Sequence, residues 1–151
     1  MERIAKWQGG EIFVDYAHTA DGLEKVLQTL KGRATGRLLC LFGCGGNREK
    51  EKRRIMGQIA GKYADFCIIT SDNPRYEDPL SIIAEIEDGL RMTNKNYVTI
   101  QDRRMAISYA VDLLSRGDVL LLAGKGGENF QEIMGIKYPF NDKKYVLELL
   151  Q

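Results

Sequence analysis

The fold class of this chain is set by the stretch Phe66-Cys67-Ile68-Ile69-Thr70-Ser71-Asp72-Asn73-Pro74-Arg75. Its first half is continuously apolar, which is typical of a strand buried on both faces of a parallel sheet. Its second half is a polar loop, in which Pro74 fixes its own φ and favours an extended Asn73. A carboxylate, an amide and a guanidinium therefore follow a buried strand, and the guanidinium fork suits a carboxylate or a phosphate.

Apolar strands and amphipathic helices alternate along the rest of the chain. We predict strands at residues 11–14, 37–42, 66–71, 97–100 and 118–123, with a short edge strand at 132–136. We predict helices at residues 21–30, 50–63, 79–90, 104–114 and 142–150, the last with Asp142 as its N-cap. Residues 3–7 and 11–14 resemble a hairpin around Gln8-Gly9-Gly10. The pattern predicts a single α/β domain over residues 1–151, with a Rossmann-like, mostly parallel sheet of about six strands and helices on both faces.

Composition and charge narrow the function classes. A chain of 151 residues with 44% hydrophobic residues can bury a core, and the net charge of +1 gives no general attraction to nucleic acid or to an anionic membrane. No apolar run approaches the ~20 residues of a membrane span, and residues 1–10 show no signal peptide. The single histidine excludes a multi-histidine metal site, and the three cysteines are expected to be buried, reduced thiols of a cytoplasmic protein.

Four predicted strands end in unusual loops, whereas the opposite connections are plain. These loops are Asp15-Tyr16-Ala17-His18, Gly43-Cys44-Gly45-Gly46-Asn47-Arg48, Asp72-Asn73-Pro74-Arg75 and Gly124-Lys125-Gly126-Gly127-Glu128. Because ligands bind beyond the carboxyl ends of parallel strands, we expect the four loops to meet at one site. Arg48 and Arg75 can each hold a carboxylate, Glu128 an ammonium and Asn73 either group. The combination suits a zwitterionic, amino-acid-like ligand.

Each of these motifs taken alone also fits a purely structural role. The glycine loops meet neither the dinucleotide fingerprint nor the Walker A pattern, so each could be a tight turn. His18 could cap or pack, Asp72 could form a turn, and the charged run 48–54 is mostly a solvated helix face. No Ser-His-Asp, Cys-His or metal cluster is evident, so we predict no catalytic residue in this domain. It is their coincidence on one edge that favours a binding site.

The four motifs, in this order, resemble the C-terminal domain of the Mur ligases. The resemblance begins at Met1-Glu2-Arg3 and includes the four loops, and it ends with Pro-Phe-Asn-Asp at 139–142. It implies an ATP-dependent ligase that adds meso-diaminopimelate to UDP-N-acetylmuramoyl-L-alanyl-D-glutamate in peptidoglycan precursor synthesis, and hence a role in cell wall biogenesis, cell shape and cell division. In the family, a substrate carboxylate is phosphorylated to an acyl phosphate, which the incoming amine attacks.

The resemblance also implies roles for individual residues. Diaminopimelate would be held by Arg48, Asp72, Asn73, Pro74, Arg75, Gly124 and Glu128, with the arginine marking a diaminopimelate user. Asp15, Tyr16 and His18 would face ATP when the domain closes. The chain departs from the family pattern at Gly127, where a histidine is usual, and at Ala20, where a proline is usual.

The family's other two domains lie outside this sequence. The central domain supplies the Walker loop, the Mg²⁺ ligands and a modified lysine, and the N-terminal domain holds the uridine nucleotide. We therefore expect residues 1–151 to come from a longer, three-domain protein and to be inactive alone. The alternatives are a related ligase domain for lysine or lanthionine, a cyanophycin- or folylpolyglutamate-type ligase, and a free-standing binding module.

Overall fold

The computed structural model describes residues 1–94 and 96–151 as an α/β fold. The elements in chain order are β1 (Glu2–Trp7), β2 (Gly10–Asp15), α1 (Ala20–Arg33), β3 (Leu38–Phe42), α2 (Glu51–Tyr63), β4 (Phe66–Ile69), α3 (Pro79–Leu90), β5 (Tyr97–Thr99), α4 (Arg103–Leu113), β6 (Val119–Ala123), β7 (Phe130–Ile133), β8 (Ile136–Pro139) and α5 (Asp142–Leu149). The predicted elements of the main sheet and all five predicted helices are confirmed, with boundaries shifted by up to three residues.

The main sheet has six strands in the order β1-β2-β6-β3-β4-β5. Strands β2, β6, β3, β4 and β5 pair in parallel, and β1 joins the edge antiparallel to β2. The β1–β2 turn uses positive φ at Gln8 (51°) and Gly9 (83°), as a tight hairpin requires. The carboxyl ends of the parallel strands therefore meet at one edge, which is where the four loops begin.

Helices cover both faces of this sheet, as predicted. Alternate residues of each strand point to opposite faces, so Cys40 and Phe42 pack in the layer beneath α1, α2 and α3. Leu39 and Leu41 pack in the other layer, against α4 and α5. The central strands β3 and β6 are buried along their whole length, which explains why their sequences are apolar without alternation.

Helices α2 and α3 approach each other unusually closely, and two glycines make this possible. A Cβ at Gly57 would collide with the carbonyl oxygen of Ile86, and a Cβ at Gly89 would collide with that of Arg54. Backbone of one helix thus lies directly against backbone of the other. This contact fixes α2, whose N-terminal end borders the carboxyl edge of the sheet.

The three cysteines are free and buried, as predicted. Cys40 on β3 and Cys67 on β4 lie opposite each other in the register of these two strands. Burial raises the pKa of Cys44 and of Cys67 to about 12, and burial raises that of Cys40 well above its usual value, so all three thiols stay protonated at neutral pH. Over the described residues, no helix combines the length and the apolar character that a membrane crossing needs.

Two sequence-based predictions are wrong. The predicted edge strand at 132–136 is not part of the main sheet, because Met134 (φ 51°) and Gly135 (φ 79°) form a turn within it. Strands β7 and β8 instead pair antiparallel as a separate two-stranded sheet, the β7–β8 hairpin. The N-cap of α5 is Asn141, whose side chain accepts from the backbone N–H of Lys144, and Asp142 lies buried in the first turn.

Candidate ligand-binding site

The four loops predicted to meet do line one cleft at the carboxyl edge of the sheet. The cleft has a volume of about 430 Å³, which is within the size range of small-molecule sites. The predicted residues that line it are Tyr16, His18, Arg48, Asp72, Asn73, Arg75, Gly124 and Glu128. A larger groove of about 560 Å³ lies between α2 and α3, but it is lined only by these helices and the N-cap of α2. Its lining includes none of the loops that follow the strands.

A buried lysine organises the acidic side of the cleft. Lys125 is fully buried, and its Nζ donates to Asn73 Oδ1 at 2.8 Å and to Glu128 Oε1 at 3.0 Å. The Asp72 carboxylate lies 3.6 Å from the same Nζ. Asn73 Nδ2 donates in turn to Glu128 Oε1 at 3.3 Å. The ammonium is thus paired from several sides, which a buried charge requires, and it holds side chains from two different loops together.

Glu128 keeps one carboxylate oxygen directed away from this lysine. Oε1 carries the contacts to Lys125 and Asn73, while Oε2 lies 3.5 Å from the hydroxyl of Tyr16, which is exposed. Because the Glu128 side chain is partly exposed and lines the cleft, its carboxylate can accept from a ligand ammonium. Gly124 lets this loop pass close to Asp72, since it has φ 108° and a Cβ there would lie 2.7 Å from Asp72 Oδ2.

Arg75 lies on the opposite side of Asn73 and supplies positive charge. Its Nη1 donates to the carbonyl oxygen of Gly46 at 3.0 Å, and its Nε donates to Glu132 Oε1 at 3.2 Å. The residue has φ 54°, an uncommon backbone conformation for a side chain of this size. The guanidinium is therefore fixed in place, and it borders the cleft.

The glycine loop after β3 packs tightly against the Asp-Asn-Pro-Arg loop. The N–H of Gly46 donates to the carbonyl oxygen of Asn73 at 2.7 Å, and a Cβ at Gly46 would collide with the carbonyl of Pro74. Arg53, which is fully buried in α2, secures the glycine loop by donating to the carbonyl of Gly45 at 2.9 Å. At the end of this loop Arg48 is exposed and lines the cleft. Arg48 is thus a second cation in the lining of the cleft, in addition to Arg75.

The Asp-Tyr-Ala-His loop forms the third wall. The rings of Tyr16 and His18 lie 4.8 Å apart between centroids, and both line the cleft. Asp15 does not line it, because its carboxylate turns back to accept from the N–H of Ala17 at 2.8 Å. Pro74 is likewise outside the lining and borders a neighbouring cavity. Both residues shape the loops that carry the lining side chains.

Sequence reasoning missed three residues that border or support the cleft. Lys125 lies between Gly124 and Gly126 just after β6, and a lysine flanked by glycines at a strand end is itself a signal of a site. Lys52 was placed on a solvated helix face, yet it lines the cleft and donates to the carbonyl of His18 at 3.0 Å. Glu132 was placed in an edge strand, and only the three-dimensional structure brings it to Arg75.

The two departures from the family pattern leave the local structure intact. The position of a Cβ at Gly127 is open, with no described atom within 4 Å. Ala20 begins α1, and Thr19 caps that helix by accepting from the N–H of Gly22 at 3.1 Å. Within residues 1–94 and 96–151, no group of three or more His, Cys, Asp or Glu side chains is placed to hold a metal ion.

An open parallel sheet whose carboxyl edge carries a mixed-charge cleft defines an α/β ligand-binding domain of the Rossmann-like type. The sequence matches the family described as "Mur ligase, glutamate ligase domain" over residues 1–126, and the chain belongs to this family. The resemblance drawn from the motifs alone is therefore confirmed.

Relatives that carry one particular name are similar over nearly the whole chain. The UDP-N-acetylmuramoyl-L-alanyl-D-glutamate–2,6-diaminopimelate ligase of Caldanaerobacter subterraneus subsp. tengcongensis is 52% identical over 139 residues, which are 92% of this chain and 29% of that protein. The enzyme of the same name from Syntrophomonas wolfei subsp. wolfei is 50% identical over 152 residues, covering 100% of this chain and 31% of that protein.

A solved structure of a ligase with this name superposes on the chain with a TM-score of 0.91 at 41% identity, covering 97% of this chain and 30% of that one. The chain therefore spans about 30% of the length of the relatives that it matches.

Proposed function

We propose that this chain is the amino-acid-binding domain of an ATP-dependent ligase that joins meso-diaminopimelate to UDP-N-acetylmuramoyl-L-alanyl-D-glutamate. The reaction is a step of peptidoglycan precursor synthesis in the cytoplasm. Identity of about half the residues to ligases of that name supports the proposal, and it favours this substrate over those of the lysine, cyanophycin and folylpolyglutamate ligases.

The observation that carries the proposal is the charge pattern of the cleft. Arg75 and Arg48 border it as cations, while Glu128 and Asp72 border it as carboxylates. Diaminopimelate has an amino-acid group at each end, so it presents two ammonium and two carboxylate groups. Arg75 then binds the carboxylate of the distal end and Glu128 an ammonium, with Asn73 donating or accepting between them. Arg48 is left for the second carboxylate.

The side of the cleft formed by the Asp-Tyr-Ala-His loop suits ATP, the nucleotide substrate. The rings of Tyr16 and His18 lie beside each other and line the cleft, and such rings can stack on a purine or pack against a ribose. Asp15 shapes their loop and faces the same nucleotide when the protein closes. ATP supplies the phosphoryl group that activates the carboxylate of the nucleotide-linked dipeptide. By the resemblance to the family, we expect the ATP phosphates and Mg²⁺ to be held mainly by the central domain of the complete ligase.

The experiment is an assay of the complete gene product with ATP, the nucleotide-linked dipeptide and either meso-diaminopimelate or L-lysine. We expect diaminopimelate to be joined and lysine to be poor, because lysine lacks the distal carboxylate that Arg75 would bind. Losing one member of a buried charge pair costs about 2–5 kcal/mol, so Arg75→Ala should lower kcat/KM for diaminopimelate at least thirtyfold and remove most of the discrimination.

The matched control is Arg116→Ala, which removes an exposed arginine outside the cleft lining and should leave the kinetics unchanged. Lanthionine has the same two amino-acid ends as diaminopimelate. It therefore tests whether the cleft distinguishes ligands by the spacing between those two ends. A preference for lysine or for lanthionine would refute the substrate assignment. Absence of ligation with any of the three amino acids would favour a free-standing binding module.

A further inference from the structure

The β7–β8 hairpin lies along the outer side of the Asp-Asn-Pro-Arg loop and holds it by its backbone. The N–H of Arg75 donates to the carbonyl of Glu132 at 3.0 Å, and the N–H of Met134 donates to the carbonyl of Arg75 at 2.8 Å. These two bonds form a parallel bridge between Arg75 and Ile133. They pair both backbone polar groups of a residue whose φ of 54° is unfavourable in isolation.

Side chains extend this contact along the loop. Gln131 Nε2 donates to the carbonyl of Asp72 at 2.8 Å, and the N–H of Glu132 donates to Asn73 Oδ1 at 2.9 Å. Asn73 is the amide that also contacts Lys125 and Glu128. The hairpin is thus bonded to the loop at Asp72, Asn73 and Arg75. A small element outside the main sheet therefore determines where the ligand-facing groups of this loop lie.

Glu132, through its side chain, contacts the guanidinium itself. Its Oε1 accepts from Arg75 Nε at 3.2 Å, and Nη1 of the same guanidinium is taken by Gly46. Nη2 donates to no atom of the described residues. Two contacts on different edges fix the plane of the guanidinium and leave Nη2 for a ligand. Since both side chains are less than a quarter exposed, this pair is partly protected from solvent screening.

We propose that Glu132 is a positioning residue that orients Arg75 and so sets the preference of the cleft for an amino acid with a distal carboxylate. This inference rests on the proposed function and adds a residue to it. Glu132 acts through Arg75, because Glu132 itself is absent from the lining of the cleft.

Glu132 could act by orienting Arg75 or by neutralising its charge, and the two roles predict opposite effects of removing Glu132 on the binding of a carboxylate. If Glu132 only reduced the positive charge near the ligand, its removal would strengthen the attraction of Arg75 for a carboxylate. If Glu132 orients the guanidinium, its removal frees a side chain with many rotamers, and the ligand carboxylate must then bear the entropy of fixing it. A glutamine at 132 separates the two effects, because its carbonyl oxygen can still accept from Nε while the charge is gone.

The kinetic test compares Glu132→Ala, Glu132→Gln and Ile136→Ala in the complete gene product. Ile136 is an exposed residue of the same hairpin and serves as the control for general loosening. We expect Glu132→Ala to raise the KM for meso-diaminopimelate about tenfold, which corresponds to about 1.4 kcal/mol, because the guanidinium loses a hydrogen bond that orients it. The KM values for ATP and for the nucleotide-linked dipeptide should stay the same, and kcat should change far less than KM.

Glu132→Gln should show only a small part of the rise in KM that is expected for Glu132→Ala. Ile136→Ala should have the same KM as the parent protein. A lower KM for diaminopimelate in either Glu132 variant would overturn the inference, and so would equal KM increases for all three substrates. If the parent protein itself does not join diaminopimelate, the proposed function fails and the inference fails with it. An active parent with an unaffected Glu132→Ala variant removes the inference alone.

A second measurement needs no ligand and no ligase activity. In a ¹⁵N-labelled sample of this chain, the Nε–H of Arg75 should exchange slowly with solvent because Glu132 accepts it. Its signal is assigned by its loss in Arg75→Lys. Glu132→Ala should speed this exchange at least tenfold while leaving the backbone amide signals of the main sheet in place. Fast exchange in the parent chain would show that Glu132 does not hold the guanidinium.

Discussion

A buried ion pair connects the last helix to the segment that follows β4 and leads into the cleft. Arg103 and Asp142 have fully buried side chains, and they form two parallel hydrogen bonds, Nε to Oδ1 at 2.9 Å and Nη2 to Oδ2 at 2.8 Å. The remaining nitrogen, Nη1, donates to the carbonyl of Ser71 at 2.9 Å. This explains the last part of the motif Pro-Phe-Asn-Asp: its aspartate fixes the arginine that holds the chain just before Asp72.

We predict that Asp142→Ala lowers the free energy of unfolding by about 3–5 kcal/mol, because it leaves the Arg103 guanidinium buried without its counter-charge. Urea denaturation followed by circular dichroism would measure the loss. The control is Glu148→Ala, an exposed carboxylate of the same helix, which should change the stability by less than about 0.5 kcal/mol. Equal losses in the two variants would contradict the role assigned to the pair.

At the scale of elements, the contact between α2 and α3 depends on glycines that ordinary helix propensity disfavours. We predict that Gly89→Ala destabilises the protein by at least about 2 kcal/mol, because its Cβ would meet the carbonyl of Arg54 and force the helices apart. The matched control is Gly32→Ala in α1, where a Cβ meets no described atom within 4 Å. Gly32→Ala should raise the free energy of unfolding by about 0.5–1 kcal/mol, through helix propensity alone. Thermal unfolding of the two variants should therefore shift in opposite directions.

The elements also show what the sequence could and could not predict. Strands β3, β4 and β6 were predictable because a strand buried on both faces needs an unbroken apolar run, and their loops were predictable as a site because parallel strands share a carboxyl edge. The β7–β8 hairpin was missed because its turn, Met134-Gly135, lacks the usual Asn-Gly or Asp-Gly signal. Glu132 was missed for the same reason, since its contact with Arg75 exists only once the hairpin is folded back on the loop.

At the scale of the whole molecule, acid should weaken the fold through carboxylates that are paired in the native state. Hydrogen bonds from Arg53 lower the pKa of Glu77 from 4.5 to about 2, aided by the N–H of Asn47, and hydrogen bonds from Arg33 and Arg3 do the same for Glu11. A depressed native pKa stabilises the fold fully above the ordinary value of 4.5. That contribution is lost as the pH falls from about 4.5 to about 2.

We therefore predict a stable plateau above pH 5 and a continuous fall of the unfolding free energy between pH 4.5 and 2, measured by urea denaturation at several pH values. Glu77→Gln should lower the stability at pH 7 by about 2 kcal/mol and flatten the acid limb, because one of the titrating groups is gone. An acid limb as steep in this variant as in the parent would exclude Glu77 as a contributor.

The division of the chain into two sheets has a consequence for how such a domain diversifies. The six-stranded sheet carries the core, whereas every residue of β8 is exposed and β7 is only half-buried. Substitutions in the hairpin can therefore accumulate with little effect on the core, yet they act directly on the backbone of the Asp-Asn-Pro-Arg loop, which lines the cleft. Under the proposed function, a lineage can thus acquire a new amino-acid preference by drift in a peripheral ribbon, with the core sheet unaltered.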